Sequence, residues 1–248
     1  MSETSKQLLD TYGDYKVYLV DDLVVRNSSE TAEEFGGFGS HYDFDFIPER
    51  EIWINQKATE IDRQCYIHHA LAYARLMKAG TPWEKAYDTS LALEQKLRWQ
   101  LSGDIYDETA DGSDVAPEIR LHKYGEFFGE DVTVWIVNGE EVRNHYRTEF
   151  IEGGHGYVYP WIPKGEIWIE DQVQESERPY ILMHEFVEMI YMQYKKADYG
   201  SAHGAAAKVE FAQRQKSYSK AEVFQLTKEV ALEFLTKMDL KLHPKAPN

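Results

Sequence analysis

The chain has 248 residues, 43% of them hydrophobic and 14% aromatic, which excludes a disordered polypeptide and allows one large domain or two small ones. A formal net charge of −16 argues against the nucleic-acid backbone as a partner. It suits an enzyme, or an acidic protein that meets a basic protein partner. The lone cysteine, Cys65, excludes an internal disulfide, no apolar run approaches the ~18 residues that cross a membrane, and the first residues lack the apolar core of a secretory signal. These features predict a cytoplasmic protein without membrane association.

In chain order, the alternating stretch from Val17 to Val25 predicts a strand. The glycine-rich Gly36–Gly39 leads into a second, and Glu51-Ile52-Trp53-Ile54 reads as a short buried strand. A helix is expected from about Thr59 to Ala79 and another from about Pro82 to Arg98, the latter opened by the capping box Thr81-Pro82-Trp83-Glu84. From Gly103 to Asp131 the chain is rich in Asp, Glu and Gly and reads as a partly ordered acidic connector.

The same order then returns. Val134–Val142 predicts a strand, Gly153-Gly154-His155-Gly156 leads into a second, and Glu166-Ile167-Trp168-Ile169 forms a third. Helices are expected from about Ser176 to Lys196, with Pro179 tolerated in the first turn, and from about Tyr199 to Lys216. Arg63 pairs with Arg178, His69 with His184 and Glu94 with Glu210, at separations of 115 to 116 residues. So constant an offset points to a tandem duplication. Two copies are too few for a solenoid, and a pseudo-symmetric pair of half-domains is the expected arrangement. The predicted fold class is α+β, each half-domain running strand-strand-strand-helix-helix. The predicted division is residues 1–99 as a degenerate first repeat, 100–131 as the connector, 132–216 as a metal-binding second repeat, and 217–248 as a C-terminal amphipathic helix. That last helix is opened by Ser219–Glu222, with the stripe Val223, Leu226, Val230, Phe234 and Met238.

The duplication supplies an internal control. Residues shared by both copies serve the common fold, and residues found in one copy are candidates for function. His184 and Glu188 lie four apart, on one face of the predicted helix, and His203 follows on the next helix. Opposite the second copy's His155, Glu185, Glu188 and His203 stand Phe38, Ala70, Tyr73 and Tyr87 in the first. Ligand-type residues therefore face three aromatics and an alanine: one working site and one apolar relic. His184, Glu188 and His203 are the expected ligands of Zn²⁺, with His155 as an alternative third ligand. Glu185, next to His184 but turned about 100° away, suits a general base handling a water beside the metal. His155 is also a candidate donor to the oxyanion of the transition state. Glu210 has a counterpart in Glu94, so it reads either as a carboxylate of the shared fold or as a ligand or a ligand's partner.

Gly153-Gly154-His155, Trp161-Ile162-Pro163, Glu166–Glu170, His184-Glu185-Phe186-Val187-Glu188 and Tyr199-Gly200-Ser201-Ala202-His203 together resemble the motifs of an uncharacterised family of bacterial and phage genomes. The match covers residues 132–214 well and residues 15–98 as a degenerate copy. Phe186 replaces that family's usual Leu and Glu170 its usual Asp; neither is a proposed ligand. The family looks zincin-like by its helix motif, and the resemblance implies a metal site in the cytoplasm of a bacterium or of an infected host. Two functions are expected from the whole. The leading one is a zinc-dependent hydrolase of metallopeptidase type, acting on a peptide or small amide. The alternative is an acidic interaction or inhibitor protein, phage-encoded, whose metal is structural or absent. Glu185 separates them, because a structural site has no use for a non-ligand carboxylate beside the metal.

Overall fold

The computed structural model describes residues 6–28, 32, 35–103, 110–115, 117–127, 132–214, 216, 219, 221–223 and 225–229. Two compact units are formed, one from Met1–Glu108 with Glu140–Ile151, the other from Thr109–Gly139 with Glu152–Asn248. In the first, strands β1 (Lys6–Tyr12), β2 (Tyr15–Val20), β3 (Phe38–Ser40) and β4 (Glu51–Asn55) make a sheet in the order β1-β2-β4-β3. A short helix α1 (Asp22–Arg26) follows β2, and helices α2 (Glu60–Lys78) and α3 (Trp83–Ser102) follow β4. In the second, β5 (Arg120–Phe127), β6 (Val132–Val137), β7 (Gly153–His155) and β8 (Glu166–Glu170) take the order β5-β6-β8-β7. Helix α4 (Gly139–His145) follows β6, and α5 (Arg178–Lys195) and α6 (Tyr199–Arg214) follow β8. Pairing is the same in both sheets. The outer hairpins β1–β2 and β5–β6 are antiparallel, β2–β4 and β6–β8 parallel, β3–β4 and β7–β8 antiparallel. An α+β topology thus occurs twice in one chain, as the repeat predicts, but each copy has an additional first strand (β1 and β5) and a short helix (α1 and α4) beyond the expected three strands and two helices.

Three details depart from the sequence reading. The stretch Val17–Val25 is not one strand: β2 stops at Val20, because the Asp21 carboxylate accepts the Leu23 N–H at 3.1 Å and starts α1. The same break separates β6 from α4, where Asp171 accepts the Gly139 N–H. The connector contains strand β5, whose polar sequence suits an edge strand rather than a buried one. Third, Thr81 does not cap α3: Pro82 takes the N-cap position, and no side chain caps the helix. The capping box at Ser219 does form, Ser219 Oγ donating to Glu222 at 2.6 Å and accepting the Glu222 N–H at 3.4 Å. Val223 behind it is fully buried against Tyr180, Met183, Val187 and Ala206. Val230, Phe234 and Met238 lie outside the described residues.

Shared residues are explained by shared contacts. Glu51 accepts from the Trp53 indole and from Lys6 on β1, and Glu166 accepts from the Trp168 indole and from Arg120 on β5. Each Glu-Ile-Trp-Ile strand therefore pins its outer hairpin. Arg63 donates to the Gln56 carbonyl, and Arg178 to those of Val173 and Asp171, so each closes the loop before its helix.

The second-repeat segment Glu140–Ile151 folds with the first unit, and Arg143 holds it there. Its guanidinium donates to both Asp62 oxygens, at 3.0 and 2.7 Å, and to the Phe150 carbonyl at 2.8 Å. Asp62 also accepts from Arg98 at 2.7 Å, and all three groups are buried. Cys65, on the next turn of α2, is buried among these helices, and burial pushes its thiol up to about 12. At pH 8 it stays a thiol, which is the unreactive form. A chromogenic disulfide reagent is expected to leave native Cys65 untouched at pH 8 and to titrate one thiol after denaturation. Rapid native labelling would contradict this packing.

Candidate metal centre

Helix α5 is buried almost all round. From Pro179 to Ile190 every residue is buried except Glu185. Leu182, Phe186, Met189 and Ile190 pack with Ile167 and Ile169 of β8, which fixes the rotation of the helix. That rotation turns His184 and Glu188 toward α6. Ala202, Ala206 and Ala207 are the small buried residues of α6, whereas a Cβ on Gly204 would meet only open space. The packed side of α6 is therefore made by these alanines and not by the glycine.

Here the predicted ligands converge. His184 Nε2 lies 3.0 Å from His203 Nδ1, which lies 3.0 Å from Glu188 Oε2, and Oε2 is 3.7 Å from His184 Nε2. The three ligand atoms all fall within 4.8 Å of one another. His184 and Glu188 are buried, while the His203 side chain keeps 34% of its surface, so the cluster opens on that side. A second group, His155 with Glu185 and Glu188, brings its ligand atoms within the same limit. Glu188 belongs to both. Two His/Glu clusters able to hold a metal ion are thus present among the described residues.

His155 is completely buried on β7, and its Nε2 stands 3.2 Å from Glu188 Oε1. Gly153 makes this possible: a Cβ there would come within 3.2 Å of Glu185 Cγ and Ile181, and 3.0 Å of the Trp168 carbonyl. Strand β8 lies between β6 and β7 and has no free edge for an extended substrate. Its neighbour β7 is the edge, and all three of its residues are buried.

Glu210 is the partner of a candidate ligand. Its Oε2 faces His184 Nδ1 at 2.9 Å, its Oε1 accepts from Arg214, and Arg214 also donates to Glu177. With Nδ1 committed to Glu210, Nε2 is the His184 nitrogen turned to the cluster, and it offers a lone pair there once it has given up its proton. The first unit repeats the chain of contacts: His69 Nδ1 faces Glu94 at 2.8 Å, Glu94 accepts from Arg98, and Arg98 donates to Asp62. Where the second unit has candidate ligands, however, His69 meets rings: Phe38 at 5.0 Å, Tyr87 at 5.7 Å and Tyr73 at 6.4 Å between centroids. Strand register corrects one expected match: Phe38 pairs with Ile54 as Gly153 does with Ile169, so Ser40, not Phe38, stands where His155 does. The sequence reading had not singled out Arg214 and Glu177. Their alignment with Arg98 and Asp62, at 116 and 115 residues, was the signal that could have found them.

The charges follow the packing. Burial disfavours a charged His184, but the Glu188 and Glu210 carboxylates beside it outweigh that and lift the ring to about 10. Burial would raise Glu188, yet the His155, His184 and His203 rings around it hold it well below the usual carboxylate range. Glu185 is raised to about 8, first by burial and then by the charge of Glu188, with His184 pulling the other way. Adjacent carboxylates with such divided tendencies are a mark of functional sites. Comparison of the chain with protein-family models, with curated proteins and with solved structures finds no match in any of the three.

Proposed function

We propose that His184, Glu188 and His203 hold a zinc ion, and that the protein is a zinc-dependent hydrolase acting on a peptide or small amide. The observation that carries the metal is the His184 ring. One nitrogen is committed to Glu210 and the other converges with Glu188 Oε2 and His203 Nδ1. Two imidazole nitrogens and one carboxylate oxygen are a donor set that suits Zn²⁺ and leaves a position free. Bound there, zinc supplies a Lewis acid for a carbonyl and lowers the pKa of a water. Glu185 is the residue of this chain that takes the proton of the attacking water. It then passes that proton to the amine nitrogen as the C–N bond breaks, leaving a carboxylate and a free amine. Its raised pKa makes it a stronger base once ionised, and positive charge added beside Glu188 works against the rise. The resemblance of these motifs to a zincin-like bacterial and phage family favours the same chemistry in the cytoplasm. Among the described residues, no helix is long and apolar enough to cross a membrane.

A second reading asks less of the molecule. An acidic interaction protein needs only the metal cluster as a brace, and the net charge of −16 equips it for a basic partner. Turnover separates the two. Zinc-loaded protein is expected to cleave a mixed peptide library, to stop when a chelator removes the metal, and to resume when zinc is returned. Zinc bound at one equivalent with no cleavage of peptides or small amides would favour the interaction protein.

A further inference from the structure

We propose that His155 is neither a ligand nor an oxyanion donor but a positioning residue: its Nε2–H holds Glu188 Oε1 so that Oε2 faces the metal. This rests on the zinc site proposed above. Three observations carry it. The first is the tautomer. The Tyr157 backbone N–H donates to His155 Nδ1 at 3.2 Å, so the lone pair of the neutral ring lies on Nδ1 and the proton on Nε2. A fully buried ring has no water with which to exchange these roles. His155 thus enters the second cluster through its proton-bearing nitrogen, which suits a donor and not a ligand.

The second is the division of labour on Glu188. Oε2 is the oxygen that meets His203 at 3.0 Å and His184 at 3.7 Å, while Oε1 lies 3.2 Å from His155 Nε2, a buried nitrogen that makes no aligned hydrogen bond among the described residues and has this carboxylate oxygen within reach. The carboxylate therefore presents one oxygen to each side, and His155 governs the oxygen that the metal does not need. Glu210 does the same service for His184, at the nitrogen turned away from the cluster.

The third is the first copy, where residues were replaced in matched pairs. His69 keeps its partner Glu94, as His184 keeps Glu210. Tyr73 stands where Glu188 does, and Ser40, which pairs with Ile52 as His155 pairs with Ile167, stands where His155 does. Ser40 Oγ accepts the Tyr42 N–H as His155 Nδ1 accepts that of Tyr157, so the first copy keeps the turn contact and lacks the Nε2 side of the ring together with the carboxylate. A residue whose task is to hold Glu188 has no task once Glu188 is gone.

The test uses the full chain with two substitutions. His155→Phe keeps a ring but removes the N–H donor, and His155→Gln keeps an N–H donor near the position of Nε2. Zinc affinity is read by competition with a chromophoric chelator, and the ligand set by the visible spectrum of the Co²⁺-substituted protein. His155→Phe is expected to bind zinc 10- to 100-fold more weakly, the usual effect of removing a ligand's partner, and His155→Gln to recover most of that loss. All three proteins should give the same cobalt band positions. Long-range ¹⁵N–¹H NMR on the wild-type protein should find the His155 proton on Nε2, which tests the claim even if His155→Phe does not fold. A cobalt spectrum altered in His155→Gln, a proton on Nδ1, or a second metal equivalent lost with His155 would overturn the proposal and make His155 a ligand. Unchanged zinc affinity in His155→Phe would overturn it too. Wild-type protein that takes up neither zinc nor cobalt would overturn the zinc site itself, and this inference with it.

Discussion

Zinc-loaded Glu185→Gln protein is expected to keep its metal and to lose hydrolytic rate by a factor of at least ~10², the usual scale of acid–base catalysis. Gln keeps the shape of Glu, so packing against Gly153 and Ile181 should survive. What it cannot do is take a proton. Glu188→Gln should behave differently, because Glu188 offers its Oε2 to the cluster and an anionic ligand contributes to affinity itself. The comparison is therefore between one variant that loses turnover with zinc in place and one that loses zinc. Metal analysis beside initial rates on the same samples checks it. If Glu185→Gln also empties the site, Glu185 is a ligand, as its membership of the second cluster allows. If it retains full activity, the chemistry lies elsewhere.

The largest effect on stability is expected at Arg143→Ala, by about 3–5 kcal/mol, because it strips a bidentate guanidinium from a buried carboxylate. Asp62 is fully buried and accepts two bonds from Arg143 and one from Arg98. Glu94 also engages Arg98, so that guanidinium cannot take over both Asp62 oxygens. The Phe150 carbonyl loses its donor at the same time. Removing both charged groups, in Arg143→Met with Asp62→Leu, should cost less than Arg143→Ala alone, since no buried charge is then left short of partners. Denaturant unfolding measures both. A loss under 1 kcal/mol in Arg143→Ala would mean that solvent reaches this pair.

Much of the site could be read from the sequence, for physical reasons that are visible in the fold. A helix places residues four apart on one face whatever surrounds it, so His184 and Glu188 were bound to neighbour each other. The first copy then marked His203 by putting Tyr87 in its place, whereas the match of His155 with Phe38 was two residues off: the glycine-rich turns align in sequence, but strand register sets Ser40 against His155. The buried charge network was harder. Arg98 and Asp62 are 36 residues apart and Arg143 and Asp62 are 81 apart, so no local period announces them. Strand order was hidden likewise: nothing in Glu166–Glu170 says that β7 covers the edge of β8. Strand β5 went unread because an edge strand needs no apolar face, and Arg120-Leu121-His122-Lys123 resembles a loop. The role of Glu210 was misjudged by half. Its presence in both copies does mark a shared framework, but that framework aims His184.

The central claim is that one of two similarly built units carries a metal and the other does not. Elemental analysis of protein purified without chelator tests it most directly, on the wild type, His184→Ala and His69→Ala side by side. The account predicts one zinc per chain in the wild type, none in His184→Ala, and one in His69→Ala, whose ring is enclosed by Phe38, Tyr73 and Tyr87. Zinc that survives His184→Ala at one equivalent, or that disappears with His69→Ala in a folded protein, would contradict it.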